Sequence, residues 1–310
     1  MIKDRFMTRL IALVFMIVLF LVSGCGGRNG TIETPASATL EPPTPLIASP
    51  TPVPTPTVPP APAAAVVDGE DVLLSYFEHE VARYRLALDP NQPAEAESEI
   101  NTKVINYLID QQLLSQAARA EGFALSEDEL QVKIDDLASK QGSAEAFGEW
   151  LQANAYDEVE FRMALRLASE AAWMRDKIAS SIPEKVEQAH VRQIITQTEG
   201  NASAALLELN AGGDFDALAA RYSPATSGEL GWFPRGYLTY PEIEEAAFSL
   251  PVGSYSQVIA TEIGFHVIKV IERDSEHLLT TDALISLQTK ALNEWLSQAR
   301  SMASIEIRLP

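Results

Sequence analysis

Few side chains in this 310-residue chain could carry covalent or metal chemistry. It has one cysteine, Cys25, so neither an internal disulfide nor a thiolate zinc site can form. His79 stands alone in a helical stretch, where a surface or satisfied structural role is expected. Glu127-Asp128-Glu129 directly follows Ser126 and reads as a helix start, where carboxylates complement the positive end of the dipole, not as a metal-ligand set. No Walker loop, dinucleotide fingerprint, HExxH or GxSxG motif occurs, so no cofactor is implied. The net charge of −20 argues against a nucleic-acid partner, because phosphate binding needs a basic surface.

The elements that must position any site begin well into the chain. Apolar residues make up 46% and charged residues 21%, enough for a core, and the length suits one or two domains. Lys3, Arg5 and Arg9 precede an apolar run from Leu10 to Val22, which is 13 residues long. A membrane-spanning helix needs about 20, so this run fits the h-region of a signal peptide. It leads into Leu21-Val22-Ser23-Gly24-Cys25, which resembles the lipobox of bacterial lipoproteins. That resemblance implies cleavage after residue 24, lipidation of Cys25 and an extracytoplasmic, lipid-anchored location in the cell envelope. Residues 25–64 read as a disordered tether. Eleven of the 19 prolines fall between Pro35 and Pro62, with runs such as Thr51-Pro52-Val53-Pro54-Thr55-Pro56. Proline fixes φ and removes the amide donor, so this stretch predicts a polyproline-like spacer at roughly 3.1 Å per residue.

The folded body is expected from residue 65. Ala65-Val66-Val67, the turn Asp68-Gly69 and a helix start come first. Helical periodicity then continues through about residue 182, with Leu73, Phe77, Val81 and Tyr84 on one stripe and Ile100, Val104, Leu108 and Leu113 on a longer one. Gly122 can end that helix, Ser126 with Glu129 forms a capping box, and Ser143 opens another helix. Pro183 marks a boundary. Beyond it the pattern predicts strand His190–Thr196, helices Ala202–Leu209 and Ala217–Tyr222, a strand after Gly228, helix Glu242–Leu250 and a closing strand Phe265–Val270. The order β-α-α-β-α-β predicts a small α+β domain over residues 183–275. An amphipathic helix Ala283–Ala303 and a strand-like Ser304-Ile305-Glu306-Ile307 form a tail over residues 276–310.

Three segments of residues 186–273 carry a resemblance. They are Gly213-Asp214-Phe215 with Leu218-Ala219 and Tyr222-Ser223; Gly228-Glu229-Leu230-Gly231-Trp232-Phe233-Pro234-Arg235-Gly236; and Pro241-Glu242-Ile243-Glu244 with Ala246-Ala247-Phe248, followed by Gly264-Phe265-His266-Val267-Ile268. In this order and spacing they resemble a parvulin-type (PpiC-type) peptidyl-prolyl isomerase domain. The upstream helices, entered through Val67-Asp68-Gly69-Glu70, resemble the N-terminal region of the SurA and PrsA type extracytoplasmic foldases. The resemblance implies a helical chaperone domain built from N- and C-terminal segments around an inserted isomerase. Ile305–Ile307 is then expected to pair with Ala65–Val67.

The resemblance also implies a site. Leu230, Leu238 and Ile243 would line an apolar proline slot with Phe248 supporting it. His266 would hold one of the family's two histidine positions, with Thr261 close to it. The second histidine position falls on Gln193, which can hydrogen-bond but not titrate. The family's Asp or Cys position falls on Ala225. His190 is three residues from Gln193, and an odd offset in a strand points to the opposite face. No Arg/Lys cluster flanks the slot, so no preference for phosphorylated partners is expected.

The implied function is a membrane-anchored foldase that binds unfolded or partly folded exported polypeptides and isomerises their X-Pro bonds, with no covalent intermediate and no cofactor. Two alternatives stay open: a non-catalytic holdase with a degenerate parvulin domain, favoured by Gln193 and Ala225, and a lipid-anchored scaffold without clients.

Overall fold

The computed structural model describes residues 61–89 and 93–309. The expected leader, Cys25 and the tether up to residue 60 lie outside the described residues. Packing divides the chain into two units. Of the described residues, one holds those up to Gln112, Ala124–Ala172 and those from Ser304; the other holds Leu113–Phe123 and Trp173–Ala303.

The first unit opens with strands β1 (Ala63–Val67) and β2 (Glu70–Leu73), which pair antiparallel. Asp68 and Gly69 join them with φ of +48° and +84°. Two consecutive positive φ values are what a type I′ hairpin turn requires, and Asp-Gly supplies them at low cost. The sequence pattern passes directly from turn to helix; β2 intervenes because pairing with β1 buries Val72. Strand β7 (Ile305–Ile307) lies on the other edge of β1, with Ala65 opposite Ile307 and Val67 opposite Ile305. This is the pairing expected from the sequence. Asp68 reinforces it: its N–H donates to the Ser304 carbonyl at 2.9 Å, and its Oδ1 accepts the Ser304 N–H at 2.7 Å.

Helices α1 (Leu74–Ala87), α2 (Glu97–Ala120), α3 (Glu127–Lys140), α4 (Ala144–Ala153) and α5 (Glu158–Ser180) follow. Their ends are written in the sequence. Past α2, Gly122 takes φ +88°, and the Phe123 N–H reaches back to the Ala118 carbonyl at 2.9 Å. That is the Schellman closure a left-handed glycine permits. At α3, Ser126 Oγ accepts the Glu129 N–H while Glu129 accepts the Ser126 N–H, forming the expected capping box. Ser143 caps α4 through the Ala146 N–H. A buried ionic cluster ties α1 to the α4–α5 junction. Arg83 lies over the Tyr156 ring at 3.8 Å, donates to the Asn154 and Ala155 carbonyls, and pairs with Glu160 at 3.3 Å. Nδ1 of His79 bonds Glu160 at 2.7 Å, so this histidine is the satisfied structural one expected.

The second unit is built on the antiparallel sheet β4-β3-β6-β5: β3 is Lys185–Thr196, β4 Glu229–Pro234, β5 Ile259–Thr261 and β6 Gly264–Leu278. Between the strands come α6 (Glu199–Asn210), α7 (Phe215–Tyr222) and α8 (Pro241–Ser249). Helices α6 and α7 cover one face, where Ala205, Leu209, Phe215 and Leu218 pack on Ile194 and Val267. Helix α8 covers the other, where Ile243, Ala247 and Phe248 pack on Ala189, Val191, Phe233, Ile268 and Val270. The sequence pattern finds every helix here but stops both central strands short and misses β5. Residues beyond His190 and Val270 are mostly polar, yet β3 and β6 continue pairing from Lys185 opposite Leu278. Their ladder is held by backbone bonds, which leave no hydrophobic signature. The tail goes to both units: β7 to the first, and helix α9 (Thr281–Met302), capped by Thr280, to the second.

Candidate active site

The strand order brings three polar side chains into one row. His266 lies on β6, opposite Ile195 of β3 on one side and Ile259 of β5 on the other. Gln193 is two residues from Ile195, and Thr261 is two from Ile259, so period-2 geometry projects all three onto the face covered by α8. Gln193 Oε1 is 2.8 Å from His266 Nδ1, and Thr261 Oγ1 is 2.9 Å from Nε2. With Oε1 as acceptor, Nδ1 carries the proton and the bare Nε2 accepts from the Thr261 hydroxyl; this amide orientation sets the tautomer. Thr261 is itself tied into the β5–β6 turn, accepting the Ile263 N–H at 3.3 Å and lying 3.2 Å from the Gly264 carbonyl oxygen.

His266 is fully buried, with 0% of its surface exposed, while Gln193 and Thr261 are half-buried. Burial disfavours the imidazolium and pushes the histidine below its ordinary value near 6.5, so the neutral ring is the resident form. A group without accessible surface acts on a bound chain only through its neighbours. Gly228 secures one of them: its carbonyl accepts the Gln193 N–H at 2.7 Å, its φ is +72°, and a Cβ there would collide with the Gln193 carbonyl.

The four apolar residues expected at the slot share one cluster. Ile243 and Phe248 of α8 are 4% and 6% exposed, whereas Leu230 of β4 and Leu238 of the β4–α8 loop are only partly buried against them. Phe248 is locked edge-on to Phe233 at 6.1 Å, and the Arg235 guanidinium lies 4.1 Å from its ring centre. Arg273 donates to the Ala247 and Leu250 carbonyls at 2.8 Å each, which fixes the C-terminal end of α8. Phe248 is thus a supporting core residue, and the accessible apolar surface belongs to Leu230 and Leu238.

Two positions lie elsewhere. His190 is on the opposite face, bonding Glu229 at 2.6 Å and stacking on Trp232 at 5.3 Å. Burial alone would raise the Glu229 carboxyl. Hydrogen bonds from Arg192, His190 and the Gly231 amide outweigh it and hold the group below the usual carboxylate range. Ala225 sits exposed in the turn before β4, a methyl group with no polar chemistry to offer. Among the described residues no set of three or more His, Cys, Asp or Glu side chains is arranged to hold a metal ion. Glu244, part of the Pro241-Glu242-Ile243-Glu244 motif but assigned no role from the sequence, accepts three backbone N–H groups of the Leu238 loop.

This sheet and its covering helices have the arrangement expected of a parvulin-type domain. Residues 182–272 match the family model described as a PPIC-type PPIase (peptidyl-prolyl isomerase) domain, and residues 47–171 match that of the SurA-like N-terminal domain. The chain therefore joins a SurA-like N-terminal domain to a parvulin-type PPIase domain, within an α+β fold. Among curated proteins it is similar to the Chaperone SurA of Burkholderia thailandensis, 33% identical over 159 residues, covering 44% of this chain and 35% of that one. It is also similar to the Foldase protein PrsA of Caldanaerobacter subterraneus subsp. tengcongensis, 29% identical over 178 residues, covering 55% of this chain and 56% of that one. The chain thus spans between a third and somewhat over half of the length of these relatives. A solved structure of PrsA from Bacillus anthracis is 22% identical with a TM-score of 0.39, covering 62% of this chain and 89% of that one. Among the described residues no helix is long and apolar enough to cross a membrane.

Proposed function

We propose that this protein is an extracytoplasmic foldase, lipid-anchored through Cys25, that binds unfolded exported polypeptides and isomerises their X-Pro bonds without a cofactor. The observation that carries the reading is the Gln193–His266–Thr261 row set on the same sheet face as the half-buried Leu230 and Leu238. Rotation about an X-Pro amide breaks resonance against a barrier of about 18–20 kcal/mol. No bond to a protein atom is needed. The planar amide carries more charge separation than the twisted one, so an apolar slot favours the twisted state. Leu230 and Leu238 grip the ring, with buried Ile243 packed behind them; Gln193 and Thr261, held by His266, supply hydrogen-bonding groups that need no reorganisation. Each ~1.4 kcal/mol of preference for the twisted state gives a factor of ten. His266 is a positioning residue in this scheme.

Exposed Ala225, where the family places an Asp or Cys, favours a second reading: a holdase that keeps the slot for binding alone. One experiment separates the two. The slow phase of a proline-limited refolding reaction is followed against protein concentration, with wild type, His266→Ala and Leu238→Ala. Acceleration by wild type that both variants lose supports the foldase. No acceleration, with client aggregation still suppressed, supports the holdase.

A further inference from the structure

Glu244 is placed as no ordinary surface helix residue would be. It follows Ile243 on α8, and its side chain turns back over the β4–α8 loop. There its carboxylate accepts three consecutive backbone N–H groups: Gly236 at 2.6 Å on Oε1, and Tyr237 and Leu238 at 3.1 and 3.2 Å on Oε2. Successive amides that converge on one point form an anion-binding nest. Here the anion belongs to the chain itself. Bonds to an ionised acceptor are shorter and stronger than neutral ones, and three on one carboxylate fix the path of the loop.

That path decides where Leu238 goes. Gly236 enters the loop with φ +82°, and a Cβ there would lie 2.8 Å from Lys290 Nζ of α9, so the backbone passes close beneath that side chain. Two residues on, Leu238 lies against the Phe233–Ile243–Phe248 cluster, while Tyr237 between them is 36% exposed. The loop has no ladder partner; its three backbone N–H groups from Gly236 to Leu238 are held by Glu244. We propose that Glu244 is a positioning residue of the proline slot, setting the Leu238 wall through the three amides it clamps. This rests on the slot reading above, and it identifies the group that determines how tightly the slot closes on a proline ring.

The test is a double-mutant cycle in the full chain. Glu244→Gln keeps the shape but turns an amide donor toward the N–H groups; Leu238→Ala removes the wall. Three quantities are read: kcat and KM in proline-limited refolding, and the dissociation constant for an unphosphorylated Ala-Ala-Pro-Phe peptide. The expected result for Glu244→Gln is a KM and dissociation constant raised about tenfold, with kcat changed less than threefold. In the Leu238→Ala background the same substitution changes them less than twofold, because coupled residues are not additive. Should Glu244→Gln fail to fold, Glu244→Asp, which keeps the charge but is one methylene shorter, carries the same cycle with a smaller effect. Additive losses in the two backgrounds, or an unchanged KM and peptide affinity in Glu244→Gln, overturn the inference and leave the slot reading intact. A wild-type protein that neither binds the peptide nor accelerates refolding overturns both.

Discussion

Gln193 Oε1 and His266 Nδ1 lie 2.8 Å apart across the β3–β6 ladder, the one on a half-buried strand position and the other with no exposed surface. The glutamine meets the buried ring's hydrogen-bonding need without offering it a charge. A Gln193→Leu substitution leaves a buried N–H unpaired, for a cost of about 1–3 kcal/mol. Urea unfolding should register that loss. An unchanged midpoint would mean that water or another group satisfies Nδ1. Gln193→Glu places a carboxylate at the same distance, which favours the imidazolium and adds a titration to the refolding rate.

The depressed pKa of His266 fixes the sign of a pH effect. In the unfolded chain the ring takes up a proton near pH 6.5; in the folded chain it does so only at lower pH. Between these two values the unfolded state binds more protons, so stability falls as pH drops below about 6.5 and levels off below the folded value. Above 6.5 the contribution is flat. Unfolding free energies of wild type and His266→Gln between pH 5 and 8 should converge on the acid side. A constant difference across that range would show the ring is not titrating as its burial requires.

Phe248 and Leu238 share a cluster, but Phe248 is buried and Leu238 only partly so, which separates stability from binding. Phe248→Ala empties a packed site and should cost about 3–5 kcal/mol in chemical denaturation. Leu238→Ala should cost under half of that while abolishing most of the peptide affinity. If the two substitutions destabilise equally, Leu238 is core and the slot lies elsewhere.

Much of this site was legible in the sequence, and the rest was not for definite reasons. The spacing of Leu230, Leu238, Ile243 and His266 tracks a motif whose apolar positions must share one core, and they do. That His190 could not replace the missing histidine followed from strand parity alone, and the structure has it bonded to Glu229 on the far face. The burial of His266 was invisible, because it depends on β5, a three-residue strand with no pattern of its own. Glu244 was hidden for a different cause. A glutamate on a short helix reads as a solvated charge until the backbone amides of a loop, which carry no sequence signature, are seen to point at it.

Gly228 offers the sharpest backbone test. A Gly228→Ala substitution meets both a positive φ and a collision with the Gln193 carbonyl. It should destabilise by more than the ~1–2 kcal/mol that the left-handed backbone alone costs an L-residue. Both thermal unfolding and the Gln193 amide resonance report on it. A silent substitution would show that the β3–β4 register can shift to absorb a methyl group.

The bonds between Asp68 and Ser304 join residues 236 positions apart. A chain made from its N-terminus forms the β1–β2 hairpin early, but the second neighbour of β1 arrives only with Ile305–Ile307. The sheet of the parvulin-type domain, which closes entirely within residues 185–278, has no such wait. The unit entered first is therefore closed after the sheet entered second, and the order of completion runs against the order of entry. A protein truncated before Ser304 would keep a complete parvulin-type sheet and lose the β1–β7 seam.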